Sequence, residues 1–414
     1  MSYAAVLAAA FVLWPLMGIL GGQGFAPLLG LAALPALALS RPKLPPAPYA
    51  MLAILFVFWA ALSETWSPAS KGLVSGNLLH GDFAVKAASL RIVLVTLFGL
   101  LAVGGAMRIS GGTAQRSSRV MLGAFAVQGL IVLMSVFLSG PVLAAVYGDD
   151  PLEVNKGIQN IGRNANSFAL VLPLLAAYLA VRPGLIWKGV AALMIVVSAI
   201  AFERADSQAA LFGLGFMVLA MGFVGLFPRM GFRWLFSLLA GYIAIAPVAF
   251  GLAINALERA GIHLPGSFQS RAWSWQVVIG KSIEKPFTGH GLAASKTWRE
   301  TYGDHPDWLR HLPDFWAQYP VVPGHPHNMA LQIWAETGMV GAILAGLSLV
   351  ALGFSLPRPN EMRSDVRYAI AGMAGVAASL FSFAYSAWNE AFWASLVLAA
   401  IGIILLSKRE RASL

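Results

Sequence analysis

The densest run of residues able to do chemistry in this 414-residue sequence is Gly324-His325-Pro326-His327-Asn328, which a long apolar segment follows directly. Pro326 suits the first turn of a helix, which places His327 and Asn328 at a helix N-terminus. The positive end of the helix dipole attracts anions there and disfavours an imidazolium ion. A neutral histidine beside an anion site meets the requirement for a general base. The alternative is an interfacial histidine that only caps the helix.

A polar stripe below this motif favours the functional interpretation. Asn328, Gln332 and Glu336 follow one another at i, i+4 and i+8, so they share one face of the apolar helix. Polar stripes in a membrane helix usually face protein or water rather than lipid. We therefore assign Asn328, Gln332 and His325 to a second group of residues, which orient the reacting groups.

Metal binding is the minority interpretation of the same region. The sequence contains no cysteine, which excludes disulfides, thiol nucleophiles and cysteine-ligated metals. His325 and His327 have i, i+2 spacing, which shares no helical face, although an extended segment could present both imidazoles. Because histidine and carboxylate pairs are common in loops that hold no metal, we predict a site without a metal ion and without a cofactor.

Arginines form the next group of candidate residues, because a guanidinium at membrane depth is costly unless it meets an anion. Arg163 stands in Gly162-Arg163-Asn164-Ala165-Asn166, at the predicted mouth of a membrane span, with no acidic neighbour closer in sequence than Glu153. Arg271 lies on a short helix predicted from about Phe268 to Lys285. A planar guanidinium matches phosphate oxygens, so two or three converging arginines would suit a diphosphate.

Arg204 and the tryptophans have simpler explanations. Arg204 lies in a short turn with Glu203 and Asp206, and pairing with one of these carboxylates is the better interpretation. Trp273 and four further tryptophans could stack on sugar rings or form the aromatic belt of a membrane interface, and the belt suits most of them better. The four are Trp275, Trp298, Trp308 and Trp316.

The composition indicates that a membrane-embedded helical bundle must position these residues. Apolar residues make up 58% of the chain and charged residues 11%, against about 25% charged in a soluble domain. This excludes a water-soluble enzyme and predicts an all-α, polytopic membrane protein in contact with the lipid bilayer. The net charge of +10 reflects lysine and arginine in cytoplasmic loops rather than a nucleic-acid partner. Ala4–Leu20 has no basic region before it and is interpreted as a retained span.

Twelve apolar runs are long enough to cross a bilayer, for which about 20 residues are needed. Lysine and arginine collect in every second connection, so the positive-inside rule places these short loops and both termini in the cytoplasm. The opposite face carries all seven histidines and a loop too long to be a plain connection. The predicted organisation is 1–254 for nine spans, 255–328 for a periplasmic loop with short helices, and 329–414 for three spans and a cytoplasmic tail. The predicted spans are 4–20, 24–39, 49–62, 90–107, 120–145, 166–181, 189–202, 209–227, 234–254, 329–356, 368–385 and 392–406.

Four stretches of the sequence resemble the O-antigen ligase and polymerase superfamily of bacterial inner-membrane glycosyltransferases. His327-Asn328, nine further residues and Gly338-x-x-Gly341 are similar to the ligases' His-(Asn/Ser/Gln)-x9-Gly-x-x-Gly pattern. Arg271 with Trp273 or Trp275, followed by Pro286-Phe287-Thr288-Gly289-His290-Gly291, is similar to the family's Arg…Trp…Pro-hydrophobic-x-Gly-x-Gly stretch. The other two stretches are 162–166 and 206–211, and the second departs from the family because Gln208 stands where arginine is usual.

The resemblance implies a reaction on the periplasmic side of the bacterial inner membrane. Such enzymes move a glycan from undecaprenyl diphosphate to a sugar hydroxyl, on lipid A–core for ligases or on another lipid-linked glycan for polymerases. They are taken to need neither a metal nor a nucleotide sugar. His327 is then the general base, and Arg163 and Arg271 are the diphosphate clamps. Arg204 is a candidate substrate-binding residue, and whether it replaces the arginine missing at Gln208 stays open. The further substrate-binding residues are His325, Asn328, Gln332, Asn166 and Trp273.

Two alternatives stay open beside the ligase. A polymerase of the same superfamily would share these motifs, and the histidine pattern only tilts the choice toward a ligase. A transporter or flippase for lipid-linked sugars would also need arginines and aromatic residues, but transporters typically bind their substrate near the midplane between repeated halves. This sequence has no evident two-fold repeat and concentrates polarity in one outer loop, which favours an enzyme.

Overall fold

The computed structural model describes residues 2–43, 48–75, 84–148, 150–305, 307, 310 and 312–409. This part of the chain is predominantly α-helical, and its two strands, β1 (Val74–Ser75) and β2 (Ala84–Val85), form one short antiparallel pair. His80, Trp308 and His311 lie outside the described residues. The helices are α1 (Tyr3–Ile19), α2 (Phe25–Leu39), α3 (Tyr49–Ser63), α4 (Ala88–Ala106), α5 (Gly111–Phe137), α6 (Ser139–Tyr147), α7 (Pro151–Ala180), α8 (Leu185–Arg204), α9 (Gln208–Leu226), α10 (Gly231–Arg259), α11 (Gly266–Glu284), α12 (Met329–Ser355), α13 (Ser364–Phe383) and α14 (Glu390–Ser407).

Nine of the described helices are long and apolar enough to cross a membrane. They are α3 with the turn that follows it, α4, α5, α8, α9, α10, α12, α13 and α14. Two further apolar helices, α1 and α2, are shorter, with 17 and 15 residues. Each of the twelve predicted spans overlaps a described helix, although the fifth is divided between α5 and α6. The prediction of an all-α, polytopic membrane protein is confirmed.

The sixth predicted span begins much earlier than the sequence indicated. α7 starts at Pro151, where the Asp150 carboxylate accepts the Leu152 N–H at 2.9 Å and proline suits the first helical position. Hydropathy marks the part of a helix that can lie in lipid, whereas the helix itself continues through the polar residues before it. Residues 162–166, which were predicted to stand at the mouth of this span, lie within α7.

A buried hydrogen-bond network joins α1, α5 and α7 next to this stretch. Trp14 Nε1 donates to Gln128 Oε1 at 2.6 Å, and Gln128 Nε2 donates to Asn164 Oδ1 at 3.1 Å and to Ser167 Oγ at 2.9 Å. Polar groups inside a bundle must satisfy one another because lipid offers them no partner. The network therefore fixes the rotation of α7 and with it the position of Arg163.

Antiparallel packing brings helix ends from distant parts of the sequence together. α13 packs along α9, and Ser379 Oγ donates to the Ala209 carbonyl at 2.7 Å. A side chain at Gly375 would collide with the Phe216 backbone, so glycine permits the close approach that is typical of membrane helices. α10 packs along α12, and α11 packs on both. The starts of α9 and α12 and the end of α13 thus meet beside α11.

The orientation of this end stays a prediction, and single cysteines test it in a chain that has none of its own. Arg299, in the long loop, and Ser364, at the start of α13, are both exposed. We expect Arg299→Cys to react with an impermeant thiol reagent on intact spheroplasts and Ser364→Cys to react only after lysis. If the cysteine at position 364 reacts on intact spheroplasts and the cysteine at position 299 does not, the topology is the inverse of the predicted one.

Candidate active site

His327 lies immediately before the residue that caps α12 and has a fixed tautomer. Its Nδ1 is 3.1 Å from the Ala384 carbonyl, which can only accept a hydrogen bond. Nδ1 therefore carries the proton, and the Nε2 lone pair is available to accept one. Burial and the positive charge of Arg271 lower the pKa of His327, although the bond to Ala384 opposes this shift. The arrangement is a neutral imidazole with a defined basic nitrogen.

The backbone at His327 is held in an uncommon conformation. Its φ is +52°, a left-handed value that a residue other than glycine adopts only when its surroundings stabilise it. Trp275 Nε1 donates to the Pro326 carbonyl at 2.8 Å on one side. On the other side, Asn328 Oδ1 accepts the Leu331 N–H at 3.0 Å and caps α12. Pro326 therefore precedes the helix, and its predicted place in the first turn is wrong.

His325 supports the same segment. Its Nδ1 accepts the backbone N–H of His327 at 3.2 Å, and the two ring centroids are 4.2 Å apart. Burial, together with His327 and Lys296, lowers the pKa of His325 to about 3, so this imidazole stays neutral at any physiological pH. The contact runs from a ring nitrogen to the His327 backbone, which is the geometry of an orienting residue.

Arg271 lies near His327 with an unused hydrogen-bond donor. Its helix, α11, covers Gly266–Glu284, close to the predicted range. Within the described part of the chain, Arg271 Nη1 is buried and has no hydrogen-bond partner. Burial lowers the pKa of Arg271, which the Asp206 carboxylate partly offsets. Because buried donors are almost always paired in proteins, this one is available to bind an anion, and the predicted role of Arg271 as a diphosphate clamp stays a prediction.

Arg163 is held by neutral side chains of its own helix. Its Nη1 donates to Asn160 Oδ1 and its Nη2 donates to Gln159 Oε1, both at 3.2 Å. Among the described residues Arg163 forms no ion pair, so its charge is not neutralised by a carboxylate contact. Burial raises the pKa of Tyr385 to about 12, whereas the positive charge of Arg163 acts in the opposite direction. Arg163 thus lies close enough to Tyr385, which follows Ala384, for its charge to act on that hydroxyl.

Asn166, one turn further along α7, connects this helix to the turn between α8 and α9. Its Oδ1 accepts the Ser207 hydroxyl at 3.0 Å, and its side chain also bonds the Tyr385 hydroxyl. Asp206, which interacts with Arg271, precedes Ser207 and has a φ of +49°. The arginines and the histidine therefore surround one region, although they come from three distant segments of the sequence.

Arg204 does not form the local ion pair that the sequence suggested. In the described structure it forms no ion pair with Glu203 or Asp206, and that interpretation is wrong. Its guanidinium carbon lies 4.9 Å from the centroid of the Phe137 ring, at the end of α5. A cation over an aromatic face gains an attraction that replaces the ion pair. The guanidinium of Arg204 therefore lies toward α5.

Three other predicted residues are buried behind the site. Trp273 is 2% exposed, and its ring centroid lies 6.0 Å from that of Tyr302, so its faces are covered by protein. Asn328 Nδ2 donates to the Tyr242 hydroxyl at 3.3 Å, and Gln332 Oε1 accepts the Ala387 N–H at 2.9 Å. Their direct contact with substrate stays a prediction, but the structure gives each of them an internal contact.

The two glycine motifs, widely separated in sequence, form one structural unit. α12 is broken at Gly338, where φ is +66°, and the segment 286–291 packs into the break. The His290 and Gly291 N–H groups donate to the Ala335 and Glu336 carbonyls at 2.9 and 2.8 Å. On the other side of the break, the Met339 N–H donates to the Pro286 carbonyl at 2.8 Å. The loop thus satisfies the backbone groups that the interrupted helix leaves unpaired, as a membrane interior requires.

We expect Gly338→Ala to destabilise the protein by about 2–6 kcal/mol. The left-handed backbone and the collision of a Cβ with the Phe287 carbonyl each contribute roughly 1–3 kcal/mol. Thermal unfolding in detergent measures the effect. Gly215→Ala in α9 is the matched control, because nothing lies within 4 Å of a Cβ there, and its melting temperature should equal or exceed that of the wild type. Equal melting temperatures for the two variants would contradict the proposed role of Gly338.

Comparisons with known proteins agree with these motifs. Residues 189–346 match the family model described as O-antigen ligase, a range that includes Arg204, Arg271, His327 and the Gly338 break. A 108-residue segment is 33% identical to a Rickettsia conorii protein named "Putative polysaccharide ligase" and covers 26% of this chain and 25% of that protein. A Rickettsia typhi protein of the same name is 27% identical over 180 residues, 42% of this chain and 40% of the relative. No solved structure matches significantly. The family model and these relatives support a likeness of this chain, over the matched segments, to the O-antigen ligase superfamily.

Proposed function

We propose that the protein is a glycosyltransferase that moves a glycan from undecaprenyl diphosphate to a sugar hydroxyl of lipid A–core, on the periplasmic side of the inner membrane. The observation that carries the proposal is a neutral His327 with a fixed Nδ1–H, close enough to Arg271 to sense its charge, together with the buried, unpaired Nη1 of Arg271. A base and an anion site next to each other are what a direct displacement of a diphosphate requires. The matched segments cover only part of the relatives, so the donor, the acceptor and the side of the membrane all belong to this proposal.

In the proposed reaction the acceptor hydroxyl gives its proton to Nε2 of His327. The hydroxyl oxygen attacks the anomeric carbon of the donor glycan, and the bond from this carbon to the diphosphate oxygen breaks. The leaving diphosphate keeps the electron pair, and the guanidinium groups of Arg271 and Arg163 stabilise its charge. The imidazolium that results keeps its Nδ1–H bond to Ala384 and later releases the added proton to solvent.

The electrostatics of the site suit this sequence of events. Before the reaction, burial and Arg271 keep the imidazole neutral and able to accept a proton. Once the donor binds, the negative diphosphate offsets the positive charge of Arg271. The imidazolium then forms beside an anion rather than beside an unopposed cation, so the proton transfer becomes easier when both substrates are present.

Purified protein in nanodiscs tests the proposal, with lipid-linked glycan supplied either with or without lipid A–core. We expect the reaction with lipid A–core to transfer glycan to it, and the reaction without lipid A–core to form no glycan polymer. With His327→Ala we expect no transfer in either reaction. Longer lipid-linked glycan in the absence of lipid A–core would identify a polymerase instead. Movement of lipid-linked glycan across the bilayer with no transfer product would identify a transporter and overturn the proposal.

A further inference from the structure

Glu336 is a buried carboxylate that the proposed reaction does not use. It is 0% exposed, lies inside α12 and receives four N–H donors. The Ala293 N–H donates at 2.5 Å and the Ser295 N–H at 3.2 Å. Gln332 Nε2 donates at 3.2 Å, and Trp388 Nε1 also donates to the carboxylate. A carboxylate can accept all of these bonds, and a side chain with its own N–H groups cannot.

Two of these hydrogen bonds, from Trp388 and Gln332, connect Glu336 to the segment that contains the Ala384 carbonyl. Trp388 belongs to the segment between α13 and α14, which starts at Ala384. Gln332, which donates to Glu336, also accepts the Ala387 N–H at 2.9 Å. Glu336 thus holds residues 387 and 388 from two sides. The Ala384 carbonyl that accepts the Nδ1–H of His327 lies three residues earlier in the same short segment.

The hydrogen bond from Ser295 connects Glu336 to Gly324, the first residue of the histidine motif. Ser295 donates its backbone N–H to Glu336, and its hydroxyl donates to the Gly324 carbonyl at 3.1 Å. Gly324 directly precedes His325, which accepts the His327 N–H. His327 therefore lies between two segments that are both anchored on one carboxylate. The 384–388 segment lies between α13 and α14, and Ser295 lies in a single 3₁₀ turn, Ala294–Thr297.

We propose that Glu336 is a positioning residue for the general base. Its carboxylate fixes the 384–388 segment and the 293–295 turn relative to α12, and these two segments set the position and tautomer of the His327 imidazole. The inference rests on the proposed role of His327. Arg163 and Arg271 form none of these hydrogen bonds, so we expect Glu336 to affect the base much more than the diphosphate site.

Glu336→Gln keeps the shape of the side chain but turns an NH₂ group toward N–H donors. We expect kcat to fall by about 10²-fold, as a displaced catalytic group commonly does, and KM for the donor to stay within about two-fold of the wild type. Because the Ala384 bond raises the pKa of His327, its loss should also move the acid limb of kcat to lower pH, with Arg271 and His325 unchanged. A purely structural role would produce neither the kcat–KM split nor this shift.

Asp365→Asn is the matched control, because Asp365 is a buried carboxylate, 2% exposed, that pairs with Arg363 at the start of α13. It should lower the melting temperature and leave kcat and its pH profile as in the wild type. If Glu336→Gln does not fold, Trp388→Phe removes a single donor and should give the same split on a smaller scale. Wild-type kcat in a folded Glu336→Gln, or in Trp388→Phe, overturns the inference about Glu336. If His327→Ala is inactive at the same time, the proposed function still stands. An active His327→Ala overturns both the inference and the proposed function.

Discussion

Replacing His327 with alanine is expected to lower the rate of glycan transfer by about 10²–10⁴-fold while the donor still binds. The Ala384 carbonyl fixes the proton of the imidazole on Nδ1, so Nε2 is the nitrogen that we propose accepts the proton of the acceptor hydroxyl. Alanine removes this acceptor but leaves the guanidinium groups of Arg163 and Arg271. Single-turnover transfer with saturating donor measures the rate, and binding of labelled donor measures the affinity separately.

The pH profile of the wild type and two comparisons complete this test. The pKa of His327 is lowered from its ordinary value of 6.5, so the neutral, active form persists below pH 6.5 and activity falls only at more acidic pH. His325→Ala should be milder, because His325 contacts the His327 backbone and does not accept a proton in the proposed reaction. If His327 were a metal ligand, a chelator would reproduce the loss and added divalent ion would reverse it. Near-normal transfer by a folded His327→Ala would rule out His327 as the general base.

The features that the sequence could predict are those that local composition or a short motif determines. Each apolar run predicts a helix because burial in lipid requires satisfied backbone groups, and every predicted span overlaps a described helix. The prominence of His327 follows from its residue type and from the glycines that come after it in the same motif. The helix that carries Arg271 was predicted within about two residues because serines and a proline mark its two ends.

The features that could not be predicted depend on backbone atoms or on partners from distant segments. The Ala384 carbonyl that fixes the tautomer of His327 has no signature in the sequence, because every residue type offers a carbonyl. Arg204 has carboxylates next to it in sequence, yet it lies over Phe137 because helix packing brings α5 to the turn. The break at Gly338 was visible only as a glycine. That the loop 286–291 fills it follows from the folded packing.

Arg271 is the second residue at which a large effect is expected. Its Nη1 is buried without a partner in the described structure, and a diphosphate oxygen is the group we propose to complete it. Loss of one partner from a buried charge pair typically costs about 2–5 kcal/mol, so Arg271→Ala should weaken donor binding by about 30-fold to more than 10³-fold. Arg271→Lys keeps the charge but loses the planar donors, and it should recover only a minor part of the affinity.

The arginines should fall into a defined order when each is changed to lysine and donor binding is measured. Arg271→Lys should have the largest effect, because its environment is buried and its donor is unused. Arg163→Lys should follow, because neutral side chains already occupy two of its nitrogens, and Arg204→Lys should be mild, because its guanidinium lies over Phe137. Arg259→Lys, at the exposed end of α10, is the control and should bind donor as the wild type does. Wild-type donor affinity in both Arg163→Ala and Arg271→Ala would rule out the diphosphate clamp, because neither guanidinium would then contribute to donor binding.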